Sequence, residues 1–299
     1  MKKSVSLLLA GLMLCGALAG CGGNNNTAEN TDSQTEQTSE STGTSGAIHV
    51  VSREDGSGTR GAFVELTGVE DDNGDNTTVE AEIANRTDAV LTTVAGNEAA
   101  IGYVSLGSLN DTVKAVTVDG VEATVDNVKS GTYTLSRPFN IATKGEPTGV
   151  AKDFINFILS ADGQAIVEEE NYIKVDDAAP AFTSDGSSGQ IAVGGSSSVS
   201  PVMEKLIEAY QTVNPNAKIE LQTSDSTSGM TGAMDGTFAI GMASRELKDE
   251  EAAQLTGTAI ALDGIAVIVN TANTVENLTM DQIRSIYVGE TTDWADVAA

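Results

Sequence analysis

The sequence predicts an α/β protein, and three observations carry that reading. Short apolar runs rich in β-formers alternate with stretches of helical periodicity, several of those runs end in a Gly/Ser/Thr turn that opens a helix, and one run is long and apolar nearly throughout. In order along the chain, residues 48–51, 101–104, 191–193, 219–221 and 238–242 read as strands. Residues 260–270, IALDGIAVIVN, read as a buried strand long enough to continue from one lobe into another. After Pro201, the side chains Val202, Met203, Leu206, Ile207 and Tyr210 fall on one helical face; residues 150–170 repeat the pattern through Phe154, Ile155, Ile158 and Ile166. These faces are core and carry no chemistry.

The ends are of another kind. Residues 1–20 carry Lys2 and Lys3, an apolar stretch shorter than the ~20 residues a bilayer span needs, and then Leu18-Ala19-Gly20, the pattern of a secretion signal. With Cys21 these residues resemble a bacterial lipobox, which implies a lipid-modified Cys21 at the head of an exported, membrane-anchored chain. Cys15 would leave with the signal, so no disulfide is expected. Residues 21–46, mostly Gly, Asn, Thr, Ser, Gln and Glu, have too few apolar side chains to offset their ordering entropy and read as a flexible tether. Residues 175–190, VDDAAPAFTSDGSSGQ, read as a linker between packed regions. A net charge of −27, from 43 acidic and 16 basic residues, argues against nucleic acid and anionic lipid surfaces as partners.

Three strands run into polar turns that precede helices: Arg53-Glu54-Asp55-Gly56-Ser57-Gly58-Thr59, GGSSSVSP at 194–201, and SDSTSGMT at 224–231. A helix start presents unpaired N–H groups and a positive dipole end, glycine permits close approach, and neighbouring hydroxyls add donors. Together they predict an anion cradle, although each turn alone reads equally as an ordinary cap. Arg53 offers a donor fork matched to phosphate or carboxylate oxygens, against the plain alternative of a surface arginine paired with Glu54 or Asp55.

These residues resemble the substrate-binding proteins of bacterial ABC phosphate importers. The resemblance extends to IGMASREL (240–247), LTMDQIRSIYVGETTDWADV (278–297) and IGYVSLGSL (101–109). It implies a two-lobed, type II periplasmic-binding-protein-like fold hinged on two crossing strands. It further implies phosphate ligands at Arg53, Ser57, Gly58, Thr59, Ser197, Ser198, Ser244 and either Thr227 or Ser228, with Asp55 orienting the Arg53 guanidinium. Many members of that family carry an aspartate where Ser244 stands, which accepts the proton of hydrogen phosphate and repels sulfate. A hydroxyl both donates and accepts, so the resemblance leaves sulfate rejection to Asp225 or Glu54.

The order of segments departs from the family. Its members begin with the GSSSVSP part and reach the SREDGSGT part late, whereas here the sequence runs from 47 to the family's usual C-terminal region and only then enters the usual N-terminal strand. The chain therefore reads as circularly permuted, with a gene rearrangement or assembly error as the plain alternative. The expected lobes are 137–264, including the linker 175–190, and 47–136 together with 265–299. The crossings are expected at IALDGIAVIVN and YTLSRPFNIATK.

The expectation is a monomeric, extracytoplasmic protein, without enzymatic activity, that closes on inorganic phosphate by hinge bending and delivers it to a membrane permease. An anion sensor or adhesin is the first alternative, and a phosphate-ester hydrolase the second. His49, the sole histidine, reads as a structural strand residue rather than a general base, no thiol remains after the signal and the lipid-modified Cys21, and neither a P-loop nor a metal-ligand spacing is present. No cofactor and no metal are expected.

Overall fold

The computed structural model describes residues 44–297. The expected signal at 1–20, Cys21 and residues 22–43 of the expected tether lie outside them. The first half of the described chain forms β1 (His49–Arg53), α1 (Gly58–Thr67), β2 (Glu70–Asp71), β3 (Gly74–Asp75), β4 (Glu82–Ala84), α2 (Thr87–Gly96), β5 (Ala100–Ser105), β6 (Val113–Ala115), β7 (Thr117–Val118) and α3 (Val125–Lys129). Then follow β8 (Ser136–Thr143), α4 (Gly149–Ile158), α5 (Ala161–Glu169), β9 (Gly189–Ser196), α6 (Ser200–Val213), β10 (Ala217–Ser224) and α7 (Ser226–Asp235). The chain closes with β11 (Ile240–Ala243), α8 (Asp249–Ala252), β12 (Thr256–Asn270), β13 (Asn277–Leu278) and α9 (Met280–Tyr287).

Within the described residues one sheet of nine strands runs β10-β9-β11-β8-β12-β5-β1-β4, with β6 also on β12. Strand β12 joins its two halves: residues 256–264 pair antiparallel with β8, and residues 265–269 pair antiparallel with β5. Being apolar on both faces, β12 is buried almost throughout its second half. One half of the sheet packs Phe63, Tyr103, Val267, Ile283 and Trp294 on one face and Val90, Val94 and Ile268 on the other. In the other half, Phe139, Phe154, Phe157, Leu206 and Tyr210 form the main core. The α6 face read from the sequence, Val202, Met203, Leu206, Ile207 and Tyr210, is buried in full.

Where the two halves meet, Arg137 on β8 faces Asp263 on β12 and its Nη2 donates to Oδ2 at 3.0 Å. Ser105 Oγ, from the other half, donates to Asp263 Oδ1 at 2.9 Å. Burial pushes the Asp263 carboxyl up to about 6, against the opposing pull of Arg137 and Ser105.

Three sequence expectations need correction. The single helical pattern over 150–170 is two helices, because Ser160 accepts from Gly163 N at 3.2 Å and donates to Phe157 O at 2.6 Å, starting a new helix. The tether does not extend to residue 46. Thr44 N donates to Thr274 Oγ1 at 2.7 Å, Gly46 N to Asp293 Oδ1 at 3.0 Å, and Trp294 N to Gly46 O at 3.0 Å. Nor do residues 175–190 swing free between two packed regions. Phe182 meets the Phe157 ring edge-on, and the buried Asp153 of α4 accepts from Ser184 Oγ at 2.6 Å and Asp185 N at 3.0 Å. Small polar residues made this stretch look like a linker, but long-range partners hold it against α4.

Candidate anion-binding site

The carboxyl ends of β1, β9, β10 and β11, and the turn after β4, converge on one crevice. These strands run parallel in two sets, β1 with β4 and β5, and β9 with β10 and β11. A parallel sheet places the loops after its strands on one edge, where ligands bind. Four helices of ten or more residues, α1, α2, α6 and α7, start there, so their free N–H groups and positive dipole ends share one space. Gly195, at φ 134° and with Gly229 Cα of α7 2.9 Å from where a Cβ would stand, lets β9 run close beneath α7.

Arg53 ends β1 and is 2 % exposed. Its Nε and Nη2 donate to Glu54 Oε2 and Oε1, both at 2.8 Å, Nη2 also reaches Ser197 Oγ at 3.1 Å, and Nη1 reaches Thr87 Oγ1 at 3.3 Å. Tyr103, stacked on Phe63 with centroids 3.9 Å apart, accepts from Arg53 N at 3.2 Å and thereby fixes the end of the strand. Asp55 does not orient the guanidinium, contrary to expectation. Its side chain is 96 % exposed and accepts from Arg60 Nη1 at 2.7 Å, because the turn points residue 54 inward and residue 55 outward.

Hydroxyls from both halves of the sheet meet beside Arg53. Thr59 Oγ1 lies 2.8 Å from Ser198 Oγ, and Thr87 Oγ1 lies 3.2 Å from both Ser197 Oγ and Ser198 Oγ. Ser244 Oγ accepts from Ser196 Oγ at 3.0 Å, and its N–H donates to Ser226 Oγ at 3.1 Å. Ser57 caps α1 by accepting from Arg60 N at 3.3 Å. Gly58 abuts the other half so closely that a Cβ there would overlap Ser226 Oγ and stand 2.9 Å from Ser244 Oγ.

Arg53, Thr59, Ser197, Ser198 and Ser244 therefore come together, with Gly58 at close approach. Thr227 and Ser228 do not turn their hydroxyls to this cluster. Ser228 Oγ bonds Asp225 Oδ2 at 2.5 Å, and Thr227 Oγ1 accepts from Arg245 Nη2 at 3.3 Å. The fully buried Ser226 faces the cluster instead, one position earlier, since helical geometry turns successive side chains about 100° apart. Thr87 and Ser196 were also missed. The only signal for Thr87 was Thr87-Asp88 ahead of an apolar run, a common helix start. The carboxylates proposed as proton acceptors are engaged elsewhere, Glu54 with Arg53 and Asp225 with the start of α7.

Each cation near the crevice is matched by a carboxylate, Arg53 by Glu54 and Arg245 by Glu251 at 2.7 and 2.8 Å. Pairing lowers the cost of burying these charges and leaves hydroxyl and N–H dipoles as the main anion donors.

Comparison with known proteins bears on this arrangement. The PBP superfamily domain matches residues 17–162 and 180–299. The "Phosphate-binding protein PstS 2" of Streptococcus agalactiae serotype V is 48% identical over 304 residues, covering 99% of this chain and 98% of that protein. The chain belongs to the PstS family of phosphate-binding proteins, within the PBP superfamily. Another PstS family member, the "Phosphate-binding protein PstS" of Bacillus subtilis, is 37% identical over 134 residues, 44% of this chain and 42% of that one. Among solved PstS-family structures, the phosphate-binding protein of a phosphate ABC transporter from Streptococcus pneumoniae TIGR4 superposes with a TM-score of 0.69. It is 46% identical, and the match covers 84% of this chain and all of that one. The mixed α/β sheet with its crevice is thus the periplasmic-binding-protein fold expected from the sequence.

Proposed function

We propose that this protein binds inorganic phosphate in the crevice and delivers it to a membrane ABC permease. The observation that carries the reading is the convergence of Arg53 and hydroxyls from both halves of the sheet on one point, in a chain of the PstS family. On binding, Arg53 Nη1 and Nη2 donate to the phosphate oxygens in place of Thr87 and Ser197, and the hydroxyls of Thr59, Thr87, Ser197, Ser198, Ser226 and Ser244 turn their hydrogens from one another to the same oxygens. Helix-start N–H groups from α1, beside Ser57 and Gly58, and Ser226 N of α7 complete the shell. Because donors come from both halves, the anion pulls residues 137–264 and residues 47–136 with 265–299 together as two lobes, bending where β8 and β12 cross. Exclusion of water then strengthens each dipole and offsets the repulsion from a chain of net charge −27.

A cavity of about 300 Å³ bordering Thr87, Ser197 and Ser108 is the approach from solvent. His49 pairs with Glu82 at 2.8 Å and sits at the opposite end of β1 from Arg53, roughly 13 Å away at the usual strand rise, which supports binding without turnover. Among the described residues no helix is long and apolar enough to cross a membrane. We place the protein outside the cytoplasm as a monomer, held to the membrane by lipid on Cys21, with 1–20 removed and the residues up to 43 as tether.

We also infer that the chain is a circular permutant of the commoner family order. Three observations support this: the end-to-end match to the PstS 2 relative beside a match of under half the length with the Bacillus protein, the direct bonding of residues 46–48 to 292–294, and the docking of 175–190 within one half of the sheet.

Isothermal titration with phosphate and sulfate tests the binding. Arg53→Ala leaves the half-buried Glu54 carboxylate in the crevice without its partner and removes the positive charge beside the hydroxyls, a loss of about 3 kcal/mol, or roughly a hundredfold in affinity. A folded variant that retains the parental affinity would refute the assignment.

A further inference from the structure

The hydroxyl contacts across the crevice are between side chains that an anion can recruit, but one contact is of a different kind. Thr227 N, in the first turn of α7, donates to Gly56 O at 3.1 Å, a backbone hydrogen bond between the two halves of the sheet. Thr227 N has no partner within its own helix, and the Asp225 cap takes Ser228 N instead, at 2.8 Å. Gly56 faces that cap edge-on: a Cβ on it would overlap Asp225 Oδ1 and stand 2.7 Å from Cγ. Gly56 is not among the residues with positive φ, so its own turn does not require glycine. The opposing helix does.

From this geometry we propose that Gly56 and the Asp225–Thr227 start of α7 form a latch that sets how far the crevice closes. The inference rests on the reading that the crevice closes on phosphate. Its contacting groups, Gly56, the Asp225 carboxylate and Thr227 N, are not among the side chains that hold the anion, although Ser226 between them is. The latch adds a hydrogen bond available only when the halves meet, and the absent side chain at Gly56 allows that meeting. Gly56 is thus a positioning residue: its size governs the population of the closed form, and apparent affinity scales with that population.

The test is a set of three variants, Gly56→Ala, Asp225→Ser and the double variant, measured by phosphate titration and by small-angle scattering with and without phosphate. Serine keeps a capping oxygen for α7 and removes the Oδ1 that a Cβ on residue 56 would overlap, leaving one atom at the Cγ position that a change of rotamer can move aside. Gly56→Ala is expected to weaken phosphate binding about tenfold or more and to remain expanded at phosphate concentrations that compact the parent, with unchanged circular dichroism. The double variant is expected to return to within about threefold of Asp225→Ser and to compact with it. Parental affinity in Gly56→Ala, or no recovery in the double variant, would overturn the latch. If the parent itself takes up no phosphate, the phosphate reading fails, and the latch is judged by ligand-free scattering. A Gly56→Ala variant more expanded than the parent, with reversal in the double variant, supports it; identical profiles reject it.

Discussion

Arg53 and its neighbours show how one residue's direction decides a site. The turn after β1 offers two carboxylates in succession, and the structure sets Glu54 against the guanidinium while leaving Asp55 to Arg60. Nothing in the order Arg-Glu-Asp distinguishes these outcomes, since either side chain can reach an arginine. The same limit applies at α7, where Ser226 faces the hydroxyl cluster and Ser228 turns away. Ser226→Ala is therefore expected to weaken phosphate binding by about 1–2 kcal/mol, whereas Ser228→Ala changes it by less than about 0.5 kcal/mol; titration of both variants decides between them. Thr87, bonded to Ser197, Ser198 and Arg53, behaves like Ser226. Thr87→Val keeps its volume and removes the hydroxyl, with an expected loss of about tenfold in affinity.

Strands and helices were more legible than side-chain directions, because hydrophobic periodicity is local. The face of α6 and the long run of β12 followed from spacing alone. The break between α4 and α5 did not, since the apolar pattern passes through Ser160 while its hydroxyl favours a new helix start. The segment 175–190 depends on a single buried acid. Asp153 accepts from Ser184, Asp185 N, Tyr210 at 2.8 Å and Asn214 at 3.3 Å. Burial alone would push its carboxyl up, but these hydrogen bonds outweigh burial and hold it below the ordinary range. Asp153→Asn is expected to cost about 2 kcal/mol in urea unfolding at pH 6. A depressed native pKa stabilises above the unfolded value of about 3.9 and that stabilisation is lost as pH falls through the native value. The gap between parent and variant should therefore narrow below about pH 4; a gap that stays constant down to pH 2.5 would refute the role given to the Asp153 charge.

Across the molecule, the described ends lie side by side, and the segment that joins β9 to α5 stays on one half of the sheet. A chain restarted at Gly189, run to the present C-terminus, continued through a short glycine linker into residue 46 and ended at Lys174 keeps nearly all long-range contacts. It is expected to fold and to bind phosphate within about tenfold of the parent. Failure to fold would show that the docking of 175–190 on Asp153 is essential rather than incidental. Composition, the α/β alternation and the three hydroxyl-rich helix starts are local properties, and each was readable because spacing and residue type suffice for it. Which hydroxyls of the two halves meet beside Arg53, and how near Gly56 comes to α7, depend on contacts between residues more than a hundred positions apart. Only packing two halves of a sheet around β12 brings those groups within hydrogen-bond reach, so only the tertiary structure could decide them.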